Sequence, residues 1–277
     1  MLSTSGAPVI TLTTDFGLMD HYAGTMKGII LSRCPDARIV DISHEIAPFS
    51  ILEGAYTIAQ SAPFFPSATV HVVVVDPGVG TARRPILART RDHYFIAPDN
   101  GVLSLVLPEN AETWEIANPA WRLPNASETF HGRDIFAPAA AAIAIGLPAE
   151  NAGPRLSNVM TLPNLKPART EHGWAGKIFS VDRFGNIITN LRSELIEIHE
   201  LSIECGRAVI SEFRRTFGDA PPGLCFAYFG SSGYLEIGMN QGRAADRLSV
   251  QPGDDVTLRV TIGETRHFPG RGTHDRH

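Results

Sequence analysis

The chain is poor in cysteine: 277 residues contain only Cys34, Cys205 and Cys225, with no CxxC pair and separations too long for a local metal motif. That speaks against a disulfide scaffold or a zinc ribbon, and buried thiols in a reducing compartment are the simple reading. Excess positive charge is also missing. Twenty-four Lys+Arg against 29 Asp+Glu leave a net charge of -5 at pH 7, which repels a phosphate backbone at long range, so no nucleic-acid partner is expected. No apolar run approaches the length needed to span a bilayer, so no membrane partner is expected. Residues 1–17 have neither the basic region nor the apolar stretch of a signal peptide, and the expectation is a cytoplasmic protein. The chain lacks a GxGxxG fingerprint, a Walker lysine, a GxSxG elbow and an HExxH pair. Dinucleotide, nucleoside triphosphate, serine-nucleophile and zinc chemistry all lose their usual sequence support, and no metal site is expected.

What is present alternates between strand and helix. Residues 9–13 read as a strand, 22–33 as a helix, 38–42 as a strand, 52–60 as a helix, and the near-continuous valines of 69–75 as a strand buried on both faces. Strands separated by helices predict crossover units, hence an α/β domain over 8–150 with a mostly parallel sheet in three layers. Residues 94–97 read as another strand. The apolar stretch 134–145 predicts a buried helix despite Pro138, with Asp134 as its acidic cap. Pro148, Pro154, Pro163 and Pro167 then mark a connection over 151–171. Beyond it, short strands at 173–182, 187–190, 201–205, 224–228, 234–238 and 255–262 predict a second, all-β, barrel-like domain over 172–265 with a loose polar tail.

In open α/β sheets, ligands settle where the carboxyl ends of strands meet the loops. Asp15 follows the first strand and Asp76 follows the valine strand, so both are candidates for one crevice; the ordinary alternative is a turn or cap role. The turn Asp76-Pro77-Gly78-Val79-Gly80-Thr81 allows backbone amides to approach a ligand, or simply turns tightly. Of Arg83 and Arg84, one can reach back to a carboxylate while the other lies in solvent. His131, between Phe130 and Gly132, is either a proton-handling group or a packing residue. In the second domain, Asp182, Phe184 and Asn186 share one turn that either grips a ligand or is an Asx hairpin turn, and the turn at Ser231 and Ser232, leading into Glu236, is equally ambiguous.

Taken together, TTDFG (13–17), VVDPGVGTARR (74–84), APDNG (97–101), FHGRDIFAP (130–138), DRFGNIITN (182–190) and SSGYLEIGMNQG (231–242) form a specific set. The chain resembles the S-adenosyl-L-methionine hydrolases, or SAM hydroxide adenosyltransferases, relatives of the fluorinases and chlorinases, from Ile10 to Ile262. That resemblance implies an N-terminal α/β domain, a C-terminal β-barrel, and a homotrimer holding its small-molecule substrate between subunits. It places the hydrolases' Asp-Arg-His set on Asp76, Arg83 and His131. The halogenases carry a tyrosine at the position of Asp76 and lack the FHGRD arrangement, so water rather than halide is the implied nucleophile. By the same resemblance Asp15 would hold the ribose hydroxyls beside Phe49, and Asp182, Ser231 and Ser232 the methionine moiety. Phe184, Asn186, Glu236 and Met239 would surround the adenosine. The halogenases have an arginine in place of Ser232, which loosens that assignment. No cofactor is implied, since S-adenosyl-L-methionine is itself the substrate. The rival expectation is a protein that binds or sequesters the sulfonium nucleoside without turning it over.

Overall fold

The computed structural model describes residues 6–196 and 200–261. The chain divides into two compact units, residues 1–165 and 166–277. Ile262 and the polar tail lie outside the described residues.

The first unit is built on a seven-stranded sheet. Its strands are β1 (Val9–Thr14), β2 (Arg38–Ser43), β3 (Val70–Val74), β4 (Pro85–Arg89), β5 (Tyr94–Pro98), β6 (Glu112–Glu115) and β7 (Arg155–Leu156), in the spatial order β2-β1-β3-β5-β4-β6-β7. The β2-β1-β3-β5 half is parallel and the β5-β4-β6-β7 half is antiparallel, so the sheet is mixed rather than mostly parallel. The cause is connection length: only residues 90–93 join β4 to β5, too few for a crossover, and Thr90 N–H closes the turn on His93 C=O.

Helices cover both faces. In α1 (Tyr22–Arg33) the buried Ala23, Met26 and Ile30 recur at helical spacing, and Pro35 follows its Cys34 cap. The all-apolar α3 (Ala137–Ala144) is buried along nearly its whole length, and Pro138 sits in its first turn, where no N–H is needed. Both pack with Ile10, Leu12, Val70, Val72 and Val74 on one face. On the other, Ile58 of α2 (Ile51–Ser61) clusters with Val73, Val75 and Phe95. Gly54 lets α2 approach closely, since a Cβ there would lie 3.0 Å from Val75.

Residues 151–165 of the expected connection belong to the first unit. β7 pairs with β6, Met160 N–H donates to Asp99 (2.7 Å), and Leu162 N–H donates to Ser104 Oγ (2.8 Å).

The second unit contains β8 (Ala168–Thr170), β9 (Gly173–Val181), β10 (Ile187–Arg192), β11 (Glu200–Cys205), β12 (Ala208–Ile210), β13 (Cys225–Phe229), β14 (Tyr234–Met239), the short α4 (Ala244–Leu248) and β15 (Asp255–Thr261). All its strand pairs are antiparallel, in the order β12-β11-β15-β9-β10-β14-β13, with β8 beside β9. Just past β12, Arg214 N–H donates to Ala227 C=O of β13 and Ala227 N–H donates to Glu212 C=O, drawing the two ends of the sheet together into a nearly closed form. Ile178, Ile187, Leu235, Ile237 and Leu258 fill the interior. Among the described residues, no helix is long and apolar enough to cross a membrane.

One buried group sets a pH response. His71 on β3 is fully buried, its Nδ1 lies 2.7 Å from Thr11 Oγ1, and its ring stacks on Phe95 beside His93. Burial, then the neighbouring His93, push its pKa from 6.5 down to about 3. The unfolded chain therefore binds a proton that the folded one excludes, so this contribution to stability is present above pH 6.5 and is lost as pH falls toward 3. Denaturant melts between those limits should show a shallower pH dependence for His71→Gln than for the native chain; equal slopes would contradict this account.

Candidate active site

The carboxyl ends of β1 and β3 carry the site. β1 ends at Thr14, immediately before Asp15, and β3 ends at Val74, two residues before Asp76. Asp15 and Asp76 line one cleft of about 440 Å³ together with Phe16, Tyr22, Phe49, Val79, Phe130 and His131. The two carboxylates expected in one crevice are therefore brought together, and burial first, with repulsion from Asp76 also contributing, raises the pKa of Asp15 against the N–H of Phe49 that bonds it. That N–H donates to Asp15 Oδ2 at 2.9 Å, and Phe49 holds a left-handed φ of 69° with its side chain 70% exposed. A non-glycine residue in that region is strained, and the Asp15 contact helps to hold it.

Asp76, Arg83 and His131 form a continuous chain. The guanidinium of Arg83 bonds Asp76 through two nitrogens, Nε to Oδ1 at 3.0 Å and Nη2 to Oδ2. Nη2 also lies 2.6 Å from His131 Nδ1, and the Phe136 ring lies 5.4 Å from the guanidinium carbon. Both members of the ion pair are more than nine-tenths buried. Arginine has donors and no acceptor, so His131 Nδ1 must accept, and in the neutral ring the proton resides on Nε2. Burial, then the Arg83 charge, lower the His131 pKa and keep the ring neutral. Arg84, the other half of the pair, does not lie free in solvent: it bonds Asp99 and the carbonyl of Asn158.

Two local devices aim these groups. Gly80 has φ of +78°, and a Cβ there would stand 2.7 Å from Glu128 C=O, so the 76–83 turn is pressed against the loop that precedes His131. Gly80→Ala is expected to cost roughly 1–2 kcal/mol through the left-handed conformation alone and to depress turnover further by shifting one loop from the other. Thermal melts and steady-state rates would check this, and unchanged values of both would refute it. The second device is a π-turn at Gly132–Phe136 leading into α3, a helix irregularity that recurs at functional sites. Asp134 falls inside this turn rather than at the start of a helix, and its carboxylate bonds Ser127 and Arg133 instead of capping α3. Local sequence rules read an acidic residue before an apolar run as a cap; here the chain doubles back and supplies other partners.

In the second unit, Asp182 serves its own turn. Its Oδ1 accepts from Phe184 N–H (2.9 Å) and Asn186 N–H (2.8 Å), and its Oδ2 accepts from Asn186 Nδ2 (2.8 Å). This is the Asx arrangement, and it leaves Phe184 73% exposed. Glu236 on β14 accepts from Tyr228 Oη at 2.6 Å; burial first, with the Asp182 charge adding to it, raises its pKa. Gly230 makes room for it, because a Cβ there would meet the Glu236 carboxylate at 1.8 Å. Ser231 is exposed and Ser232 half-buried in the β13–β14 turn, while Met239 closes β14 against Gly242. Among the described residues no group of three or more His, Cys, Asp or Glu is placed to hold a metal ion.

The aromatic wall was not foreseen: Phe16, Tyr22 and Phe130 pack edge-on, with ring centroids 5.0 Å apart for Tyr22 and Phe130. Phe16 stands within the TTDFG motif and Phe130 within FHGRD, so the motifs contained the signal.

Comparison with known proteins follows the same division. The family model described as SAM hydroxide adenosyltransferase N-terminal domain matches residues 10–153, and the corresponding C-terminal domain matches 176–257. An (R)-S-adenosyl-L-methionine hydrolase of Salinispora arenicola is 39% identical over 264 residues, covering 94% of this chain and 100% of the relative. A fluorinase of Nocardia brasiliensis is 28% identical over 301 residues, covering 94% of this chain and all of the relative. The crystal structure of an uncharacterized conserved protein from Thermotoga maritima matches with a TM-score of 0.84 and 39% identity, covering 91% of this chain and 100% of that one. With both of its units matched and its length covered almost throughout, the chain belongs to the SAM hydroxide adenosyltransferase family, which is related to the fluorinases.

Proposed function

We propose that the protein hydrolyses S-adenosyl-L-methionine to adenosine and L-methionine, with water attacking the ribose C5′ carbon. The observation that carries the reading is the Asp76–Arg83–His131 chain, whose Asp76 and His131 line the cleft that also holds Asp15. The relative named as an S-adenosyl-L-methionine hydrolase, closer in sequence than the fluorinase, supports water over halide.

The chemistry asks little of an acid. The C5′–S bond breaks as the C5′–O bond forms, the sulfonium leaves as a neutral thioether, and one proton is released from the water. The demand is to hold water in line with the breaking bond, which orientation can supply. Asp76 faces the cleft with the lone pairs that Arg83 does not use, so it orients the water and takes its proton. His131 acts as a donor: its Nδ1 is taken by Arg83 and its Nε2 already bears a proton, so it steadies the nucleophilic oxygen instead of deprotonating it. Arg83 holds both partners in register.

Asp15 is assigned to the ribose hydroxyls and Phe49 to an apolar wall. Asp182, Ser231 and Ser232 are assigned to the methionine moiety, and Phe184, Asn186, Glu236 and Met239 to the adenosine. The proposal includes a cytoplasmic homotrimer in which a neighbouring subunit completes each site, with no cofactor. Incubation with S-adenosyl-L-methionine in heavy-oxygen water tests the reaction. Label in the adenosine 5′-hydroxyl is expected; unlabelled adenosine or a halogenated nucleoside would overturn the route, and tight binding without turnover would favour the sequestering protein.

A further inference from the structure

Asp134 is an ionisable residue that the proposed chemistry does not use, and it is 2% exposed. Its carboxylate gathers three groups. Oδ2 accepts from Ser127 N–H (2.8 Å) and Ser127 Oγ (2.9 Å), and both oxygens accept from Arg133 (2.6 and 2.9 Å). Ser127 Oγ in turn accepts from Phe130 N–H at 3.1 Å. The Arg133 guanidinium lies over the Phe130 ring at 5.2 Å.

We propose that Asp134 is a positioning residue that clamps residues 127–131 from behind and thereby sets both halves of the Asp76–Arg83–His131 chain. One route runs through Ser127 to Phe130 N–H, the residue before His131. A second runs through the loop itself: Glu128, next to Ser127, presents the carbonyl against which Gly80 is pressed, and Gly80 belongs to the turn between Asp76 and Arg83. A third runs through Arg133 to the Phe130 ring, which packs on Tyr22 and Phe16 in the cleft wall. His131 is joined to Arg83 by one contact, at 2.6 Å, whereas Asp76 is held by two, so a displaced loop breaks the chain at His131. Burial alone would raise the pKa of Asp134, but Arg133 and Ser127 outweigh it and hold the carboxyl below its usual range, so the clamp stays charged at neutral pH.

The kinetic arm of the test rests on the proposed hydrolysis; the spectroscopic arm does not. Full-length Asp134→Asn and Ser127→Ala variants are compared with the native chain, using S-adenosyl-L-methionine turnover and histidine-selective nitrogen-15 spectra. The His131 signal is assigned by its loss in His131→Asn. The expected result for Asp134→Asn is a kcat lower by on the order of 10²-fold with KM within about twofold, because misplacement of a reacting group by an ångström has that effect. Its His131 signal should lose the fixed Nε2–H form and titrate nearer the ordinary histidine range. Ser127→Ala, which removes one route, should fall between the two. A folded Asp134→Asn with native kcat and a native His131 signal would overturn the clamp. If Asp134→Asn does not fold, the His131 signal of Ser127→Ala decides alone. If the native chain does not turn over the substrate, the hydrolysis reading fails while the His131 signal still decides for or against the clamp.

Discussion

Arg83→Lys is expected to lower kcat by on the order of 10²–10³-fold, although it keeps the positive charge. Arg83 uses one planar fork to bond both oxygens of Asp76 while a single nitrogen also reaches His131. An ammonium is a point charge on a flexible stem and cannot reproduce that geometry. The larger diagnostic is the pH profile. With the Arg83 nitrogen no longer fixed on Nδ1, His131 loses part of what holds its pKa down, so an acidic limb in the kcat profile is expected to move toward the ordinary histidine range relative to the native chain. A drop in kcat without that movement of the limb would mean that Arg83 does not control the protonation of His131.

Asp76→Ala is expected to be costly twice over. Removing one partner of a buried ion pair leaves the other charge uncompensated, at about 3–5 kcal/mol. Arg83 and Asp76 qualify, with side-chain exposures of 8% and 6%. The double variant Asp76→Ala/Arg83→Met removes the orphaned charge and should recover a large part of that loss in urea unfolding, since an apolar replacement of a buried pair is often neutral. Turnover should not recover with it: three residues acting as one unit lose activity together, so the double variant should be no more active than the single. Equal stability of the single and double variants would show that the pair is more hydrated than its burial indicates.

Much of the first unit was legible because its signals are local. The helix over 22–33 and the strand of valines follow from spacing and burial on both faces. The strands β4 and β6 escaped because each is short and carries charge, Arg89 in one and Glu112 and Glu115 in the other, and Arg89 finds its partner Glu112 only across the sheet. Helix α4, of five residues, has too few turns to show a period. In the site, Asp76 and Arg83 stand seven residues apart and read as one motif, whereas His131 reaches them only across 48 residues. Nothing in FHGRD by itself states that its aspartate faces Ser127. The turn at Asp182 was ambiguous because the same carboxylate that accepts from the N–H groups of its turn keeps further lone pairs with which it could grip a ligand.

The way residues 158–162 are stitched to the first unit decides where this chain can be cut. Asp99, 6% exposed, relies on Met160 N–H as well as Arg84, and Gly101 stands against Leu162, with a Cβ position 2.9 Å from it. A fragment ending where the family match ends, at residue 153, would strip both contacts, uncover the 97–107 loops and leave a carboxylate short of a donor. A split intended to give a self-standing first half therefore belongs after Leu165.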